Sequence, residues 1–158
     1  MEFFPSCLSR TESDELAAGI NESFRRRGFG AWAVEVVGGA GFIGFVGFNV
    51  PEFQARFMPC VEIAWRLAFK HWGHGYATEA ARAAMQFGFR ELSLPEIVSF
   101  TAAVNLRSQR VMERLGMIHS VEEDFDHPQL PVGHQLRRHV LYRLSTVAPG
   151  GGARTVGV

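Results

Sequence analysis

Residues 61–80 read VEIAWRLAFKHWGHGYATEA, and their order decides the fold class. An apolar run over 61–69 has strand character, Gly73-His74-Gly75 punctuates it, and an alanine-rich helical run begins at once. A strand that feeds a helix through glycines leaves the first N–H groups of that helix bare, at the positive end of its dipole. Such a turn is a seat for phosphate.

Upstream, Ser9-Arg10-Thr11-Glu12 has the spacing of a capping box, and Leu16, Ile20 and Phe24 recur at helical spacing until Gly28. Strands are predicted at 32–37 and 42–50, joined as a hairpin through Gly38-Gly39-Ala40-Gly41. Gly44 and Gly47 inside the return strand signal a bulge or a close backbone approach. A loop follows over 51–59, ahead of the strand at 61–69. Downstream, a helix over about 75–90 presents Ala77, Ala80, Ala84 and Phe87 on one face, small enough to pack closely on a sheet. A strand at 97–102 leads to Asn105, which can cap a helix whose Ser108, Val111, Met112 and Leu115 share a face before Gly116 ends it. A short strand at 117–121, a polar loop and a last strand at 138–144 complete the pattern. No internal repeat is evident. The expectation is α/β (α+β): one domain over 1–147 with a mixed, largely antiparallel central sheet flanked by helices, and a disordered, glycine-rich tail over 148–158.

The composition fits a folded domain. Of 158 residues, 47% are hydrophobic and 12% aromatic, enough for a core and too many for global disorder. Sixteen basic residues balance sixteen acidic ones, so no overall field draws nucleic acid or membrane. Cys7 and Cys60 form neither a CxxC nor a zinc spacing and read as small residues of a reduced protein. No signal-peptide pattern and no apolar run of the ~20 residues needed to span a bilayer is present, so the expected location is cytoplasmic.

Three phosphate ligands compete for the turn. A Walker loop fails because no Gly-Lys-Ser/Thr follows the glycines. A dinucleotide fingerprint finds Gly73 and Gly75 but has Thr78 in place of a third glycine, and Glu96 precedes a strand where it should end one. The third is a coenzyme A pyrophosphate held at Lys70-x-x-Gly73-x-Gly75. Here the residues resemble a known family. Lys70 to Ala77 is similar to the (Gln/Arg)-x-x-Gly-x-(Gly/Ala) signature of the GNAT superfamily of acetyl-CoA-dependent N-acetyltransferases. Trp72-Gly73-His74-Gly75-Tyr76-Ala77-Thr78-Glu79-Ala80 resembles the RimJ/RimL-like branch, and Asn105-Leu106-Arg107-Ser108, with Val111, Met112, Glu113, Leu115 and Gly116, resembles its second signature.

The resemblance implies roles. Backbone amides of Trp72, Gly73, His74, Gly75, Tyr76 and Ala77 would hold the pyrophosphate, with Lys70 adding charge. The strand edge carrying Trp65 and Leu67 would pair with the pantetheine arm, as an added strand does. Asn105 would hydrogen-bond that arm, Ser108 would lie near the thioester sulfur, and Arg107 or Arg110 would reach the 3′-phosphate. Acetyl-CoA is then the co-substrate, with no metal, and the acceptor is a small-molecule amine or a protein N-terminus. A protonated amine has no lone pair, so a base must act first, and Glu62 in the central strand is the candidate, its other reading being a structural carboxylate. A strand N–H of Ile63 or Ala64 would serve the tetrahedral oxygen. Relatives often carry a tyrosine where Met112 stands, so thiolate stabilisation falls to Ser108, which can otherwise simply cap its helix.

The segment Glu122-Glu123-Asp124-Phe125-Asp126-His127 can either attract a cationic amine or stay solvated, and with His134 and His139 it lacks tight metal-ligand spacing. Relatives also have a strand and a helix ahead of the segment resembling Phe3-Phe4-Pro5. Here two residues precede it, which leaves open an upstream start, completion by a partner chain such as a homodimer, or loss of acceptor function. The alternative to an enzyme is a non-catalytic acyl-CoA-binding or regulatory module.

Overall fold

The computed structural model describes residues 8–146. The predicted tail and the segment at Phe3-Phe4-Pro5 lie outside the described residues, as does Cys7.

Helix α1 (Arg10–Arg27) begins with the expected reciprocal cap: Glu12 N–H donates to Ser9 Oγ at 3.2 Å and Ser9 N–H donates to Glu12 Oε2 at 2.7 Å. It ends at Gly28 with φ 76°, the left-handed conformation that glycine adopts without strain. Strands β1 (Ala31–Glu35) and β2 (Phe42–Asn49) form the hairpin, and β3 (Glu62–Leu67) pairs antiparallel with β2. Strand β3 is shorter than its apolar run. Residues 69–71 leave the sheet as a 3-10 turn, in which Phe69 is largely exposed. Helix α2 (Tyr76–Arg90), strand β4 (Glu96–Ala102), helix α3 (Leu106–Arg114) and the short β5 (Ile118–His119) follow. The two-residue β6 (Phe125–Asp126), which no pattern in the sequence announces, and β7 (Arg138–Ser145) complete a seven-stranded sheet.

The sheet runs β1-β2-β3-β4-β7-β5, with β6 pairing to β7. Every pairing is antiparallel except β3 with β4, as the mixed sheet demanded. The three α-helices among the described residues lie against one face. Trp32 touches Phe24 of α1 and Phe87 of α2 edge-on, and the core joins Val46, Phe48, Ile63 and Ile97 of the sheet to Ala81, Ala84 and Met85 of α2 and Met112 of α3. The inward stripe of α2 differs from the predicted one. Ala81, Ala84, Met85 and Gly88 are buried, while Ala77, Ala80 and Phe87 sit half-buried at its margin. Gly88 makes the shift necessary, because a Cβ there would lie 2.6 Å from the Phe48 ring, so this position faces the sheet.

Gly44 and Gly47 show the predicted close approach. A Cβ would stand 2.1 Å from the Arg66 carbonyl oxygen at Gly44 and 2.3 Å from that of Gly30 at Gly47. The predicted bulge is there as well: Val34 pairs with Gly44 and Glu35 with Phe42, which leaves Ile43 as the extra residue on the return strand, next to Gly44. No helix among the described residues is long and apolar enough to cross a membrane.

Candidate active site

Strands β3 and β4 pair only at Glu62 and Val98, where Val98 N–H donates to the Val61 carbonyl at 3.0 Å. Beyond that point they run on as a wedge, with the start of α2 beyond the end of β3 and the start of α3 beyond the end of β4. Peptide groups alternate in direction along a strand. The Val61 carbonyl faces β4, so those of Ile63, Trp65 and Leu67 do too, and that of Ala64 faces β2. Neither of the two expected donors to a tetrahedral oxygen is free: Ala64 is turned to β2, and the Ile63 N–H faces the Val98 carbonyl, its partner in the parallel pair. The Leu67 carbonyl is taken by the Trp72 indole N–H at 2.7 Å.

At one side of the wedge, Gly73 and Gly75 have φ of 80° and 86°, and Gly75 caps α2 with no side chain bonded to the helix N–H groups. No atom lies within 4 Å of where a Cβ would stand at either glycine, so a ligand has unobstructed access to the bare amides. The residues thus fit a phosphate-bearing carrier. Lys70 is exposed on the preceding turn, and His74 stacks on Tyr76 at 5.5 Å. An open groove of about 530 Å³ runs from Gly75 along α2 to Arg82, Gln86 and Arg114. Arg82 and Arg114 escaped the sequence reading because they belong to no signature; only the packing of α2 on α3 brings them together, with Arg82 Nη2 donating to the Arg114 carbonyl at 3.2 Å. Arg110 is exposed on α3. Arg107 instead lies over the Trp72 ring, 5.2 Å from its centroid, bridging the starts of the two helices.

At the other side, Asn105 is internally engaged. Its Oδ1 accepts from Ser108 N–H at 3.2 Å and its Nδ2 donates to Thr101 Oγ1 at 2.9 Å. The cap is therefore Asn105, while Ser108 is half-buried and contributes its backbone N–H to it. Met112 is fully buried in the core. Neither tyrosine takes its place, since Tyr142 donates to Glu113 at 3.4 Å and stacks on His119.

Glu62 stands at the vertex. It is 9% exposed, and burial pushes its carboxyl from 4.5 up to about 8. Asn49 Nδ2, directly across the β2–β3 register, donates to Glu62 Oε2 at 3.5 Å and opposes that rise. Asn49 was not legible in sequence: it becomes a neighbour only once the hairpin and β3 are in register. Cys60, half-buried nearby, is pushed up to about 11 by burial and by the Glu62 charge. The thiol is inert at neutral pH.

The acidic segment offers less free charge than its sequence suggests. Arg143 binds Glu123 at 2.7 Å and Glu96 at 2.5 Å, Asp124 meets His119 at 2.7 Å, and Asp126 pairs with Arg137 and Arg138. Among the described residues, no group of three or more His, Cys, Asp or Glu side chains is gathered as a metal would need.

A split parallel pair with bare helix amides at its open end and a protonatable carboxyl at its vertex defines a carrier-binding α/β domain. Residues 1–118 match the family model described as an acetyltransferase (GNAT) domain, and the chain belongs to that family. Membership implies acetyl-CoA-dependent N-acetyl transfer. The Bacillus subtilis protein YkkB, itself uncharacterised, is 36% identical over 120 residues, 76% of this chain and 69% of that protein. An acetyltransferase from Agrobacterium tumefaciens superposes with a TM-score of 0.66 at 27% identity, covering 89% of this chain and 74% of that one. A ribosomal-protein-S5-alanine acetyltransferase from Vibrio fischeri shares the fold, with a TM-score of 0.70 at 15% identity over 90% and 78% of the two chains.

Proposed function

We propose that this protein is an N-acetyltransferase of the RimJ/RimL-like branch that acetylates a primary amine, on a small molecule or a protein N-terminus, with Glu62 as the base. The observation that carries this reading is the position of Glu62: a buried carboxyl at the vertex of the wedge, with a carboxyl that titrates at about 8. A group titrating there can take a proton from an ammonium far more readily than an ordinary carboxylate. The exposed Asn49 beside it leaves a route for that proton to solvent.

In this reading the bare amides from Trp72 to Ala77 and Lys70 hold the pyrophosphate, and Arg82 and Arg114 share the nucleotide end with Arg110. The Trp65 peptide group, facing the wedge, pairs with the amide-bearing arm. Bound acetyl-CoA supplies the activated thioester. Glu62 removes the ammonium proton, the neutral amine attacks, and the Ser108 hydroxyl faces the developing sulfur charge. The buried Met112 supports a second reading, a non-catalytic acyl-CoA-binding module, because it removes the acid many relatives place there.

Two measurements test the proposal. Acetyl-CoA should raise the melting temperature where NAD does not, since a ligand at 100 Kd adds about 2.7 kcal/mol. An amine panel with thiol detection should then release coenzyme A. Stabilisation without thiol release from any amine would leave the binding module.

A further inference from the structure

The sheet face opposite the helices carries a group of rings that the cofactor-binding reading does not use. Phe53 and Phe57 come from the 50–61 loop, Phe100 from β4, Phe125 from β6, His127 from the loop after it and His139 from β7. Phe53 meets Phe100 at 5.7 Å, Phe125 at 6.1 Å and His127 at 4.6 Å, and Phe57 meets Phe100 at 5.8 Å and Phe125 at 4.9 Å. Phe125 meets His139 at 5.5 Å, and the two histidine rings are 4.9 Å apart. All six residues are half-buried, so the group is not sealed into the core and keeps part of its surface open.

The register ties this floor to the vertex. Val98 is the parallel partner of Glu62, and Phe100 lies two residues further along β4, on the same face and about 7 Å away along the strand. Ala102 pairs with His139, and His139 with Phe125, which continues that face across three strands. The floor therefore begins beside Glu62 and extends from β4 across β7 to β6, on the side of β4 away from β3. Its charge is also set. The carboxylates of Glu123, Asp124 and Asp126 are engaged by Arg143, His119, Arg137 and Arg138, while Glu52 and Glu122 sit exposed in the bordering loops. Burial lowers both histidines, His139 to about 4, so they are uncharged at neutral pH.

Resting on the acetyltransferase reading, we infer that the acceptor is a monoamine on a flat apolar body, which lies on this aromatic floor with its amine directed to Glu62. Rings prefer offset or edge contacts with other rings, which a small aromatic amine can supply, whereas a polyamine needs several free carboxylates along its track.

The test begins with the wild-type chain. At pH 8, calorimetric titration with 2-phenylethylamine, ethylamine and spermidine should give at least tenfold tighter binding of the first. Phe53→Ser, on a loop residue, should abolish that preference while leaving acetyl-CoA affinity unchanged. If that variant does not fold, the wild-type comparison decides alone. Equal binding of the three amines, or tightest binding of spermidine, overturns the inference. So does a Phe53→Ser variant that weakens all three alike. Thiol release separates this inference from the reading beneath it. Selective binding of 2-phenylethylamine without its acetylation keeps the floor and removes the enzyme, whereas acetylation of all three amines at one rate keeps the enzyme and removes the floor.

Discussion

The carrier-binding and acceptor-binding parts of the β3–β4 wedge are built by different means. The carrier side is backbone: glycines with positive φ, uncapped helix amides and an Asn cap, all within about ten residues of the signatures that encode them. The acceptor side is side chain: Glu62, Asn49 and six rings gathered from β2, β3, β4, β6, β7 and two loops. Backbone sites tolerate changes of surrounding side chain and fail when the backbone itself is constrained. A side-chain site should fail one residue at a time, and in chemistry before binding.

The largest effect should come from the acceptor side. Glu62→Gln should lower turnover by roughly 10²–10⁴-fold, the range of a general base, with acetyl-CoA affinity nearly unchanged. The loss should shrink as pH rises, because more of the amine is then neutral already. Rates with a competent amine between pH 6 and 10 measure this, and wild-type turnover in the Gln variant across that range would make Glu62 structural. On the carrier side the split should invert. Gly75→Val should weaken acetyl-CoA binding by more than tenfold, because a β-branched residue is strained at φ 86°. Calorimetry on the folded variant is the measurement, and unchanged affinity would reduce the glycines to a tight turn.

Ser108→Ala should cost about tenfold in turnover, the low end for a hydrogen bond to a charged group, and should persist at high pH, unlike the Glu62 defect. The remaining effect is on stability, and its sign is opposite to that on activity. Because folding raises the Glu62 pKa from 4.5 to about 8, its protonated form is the one that stabilises the fold; that contribution is complete below pH 4.5 and is lost as pH rises through 8. Glu62→Gln should therefore melt at the same temperature as wild type near pH 4 and roughly 10–15 °C higher at pH 8. A melting temperature that is lower at pH 8 would show that the charged form is well solvated in the folded chain.

The same division explains what could be read in advance. The capping box at Ser9, the Gly28 and Gly116 stops, the hairpin and both signatures are local patterns, and the elements they announce are found within a few residues. Glu62 could be singled out because a carboxylate inside an apolar strand stands out. Asn49 could not, since its relation to Glu62 is a matter of register, nor could Arg82 with Arg114, which meet through helix packing. The six rings come from segments up to 86 positions apart, Phe53 to His139, and nothing local marks them as neighbours. The acidic segment is the opposite case. Its run of charge is plain in the sequence, but the arginines and the histidine that engage it arrive from β5, β7 and the turn before β7.

Gly44 and Gly47 have a consequence for any map of mutational tolerance. At both, the neighbouring backbone occupies the space of a methyl group, so even alanine must push two strands apart. A saturation scan scored on cell growth would rank these two positions with Glu62 among the least replaceable, far from the phosphate turn. Assaying the survivors for abundance would part them: the glycine variants would be scarce, whereas Glu62→Gln would accumulate normally and fail at the bench.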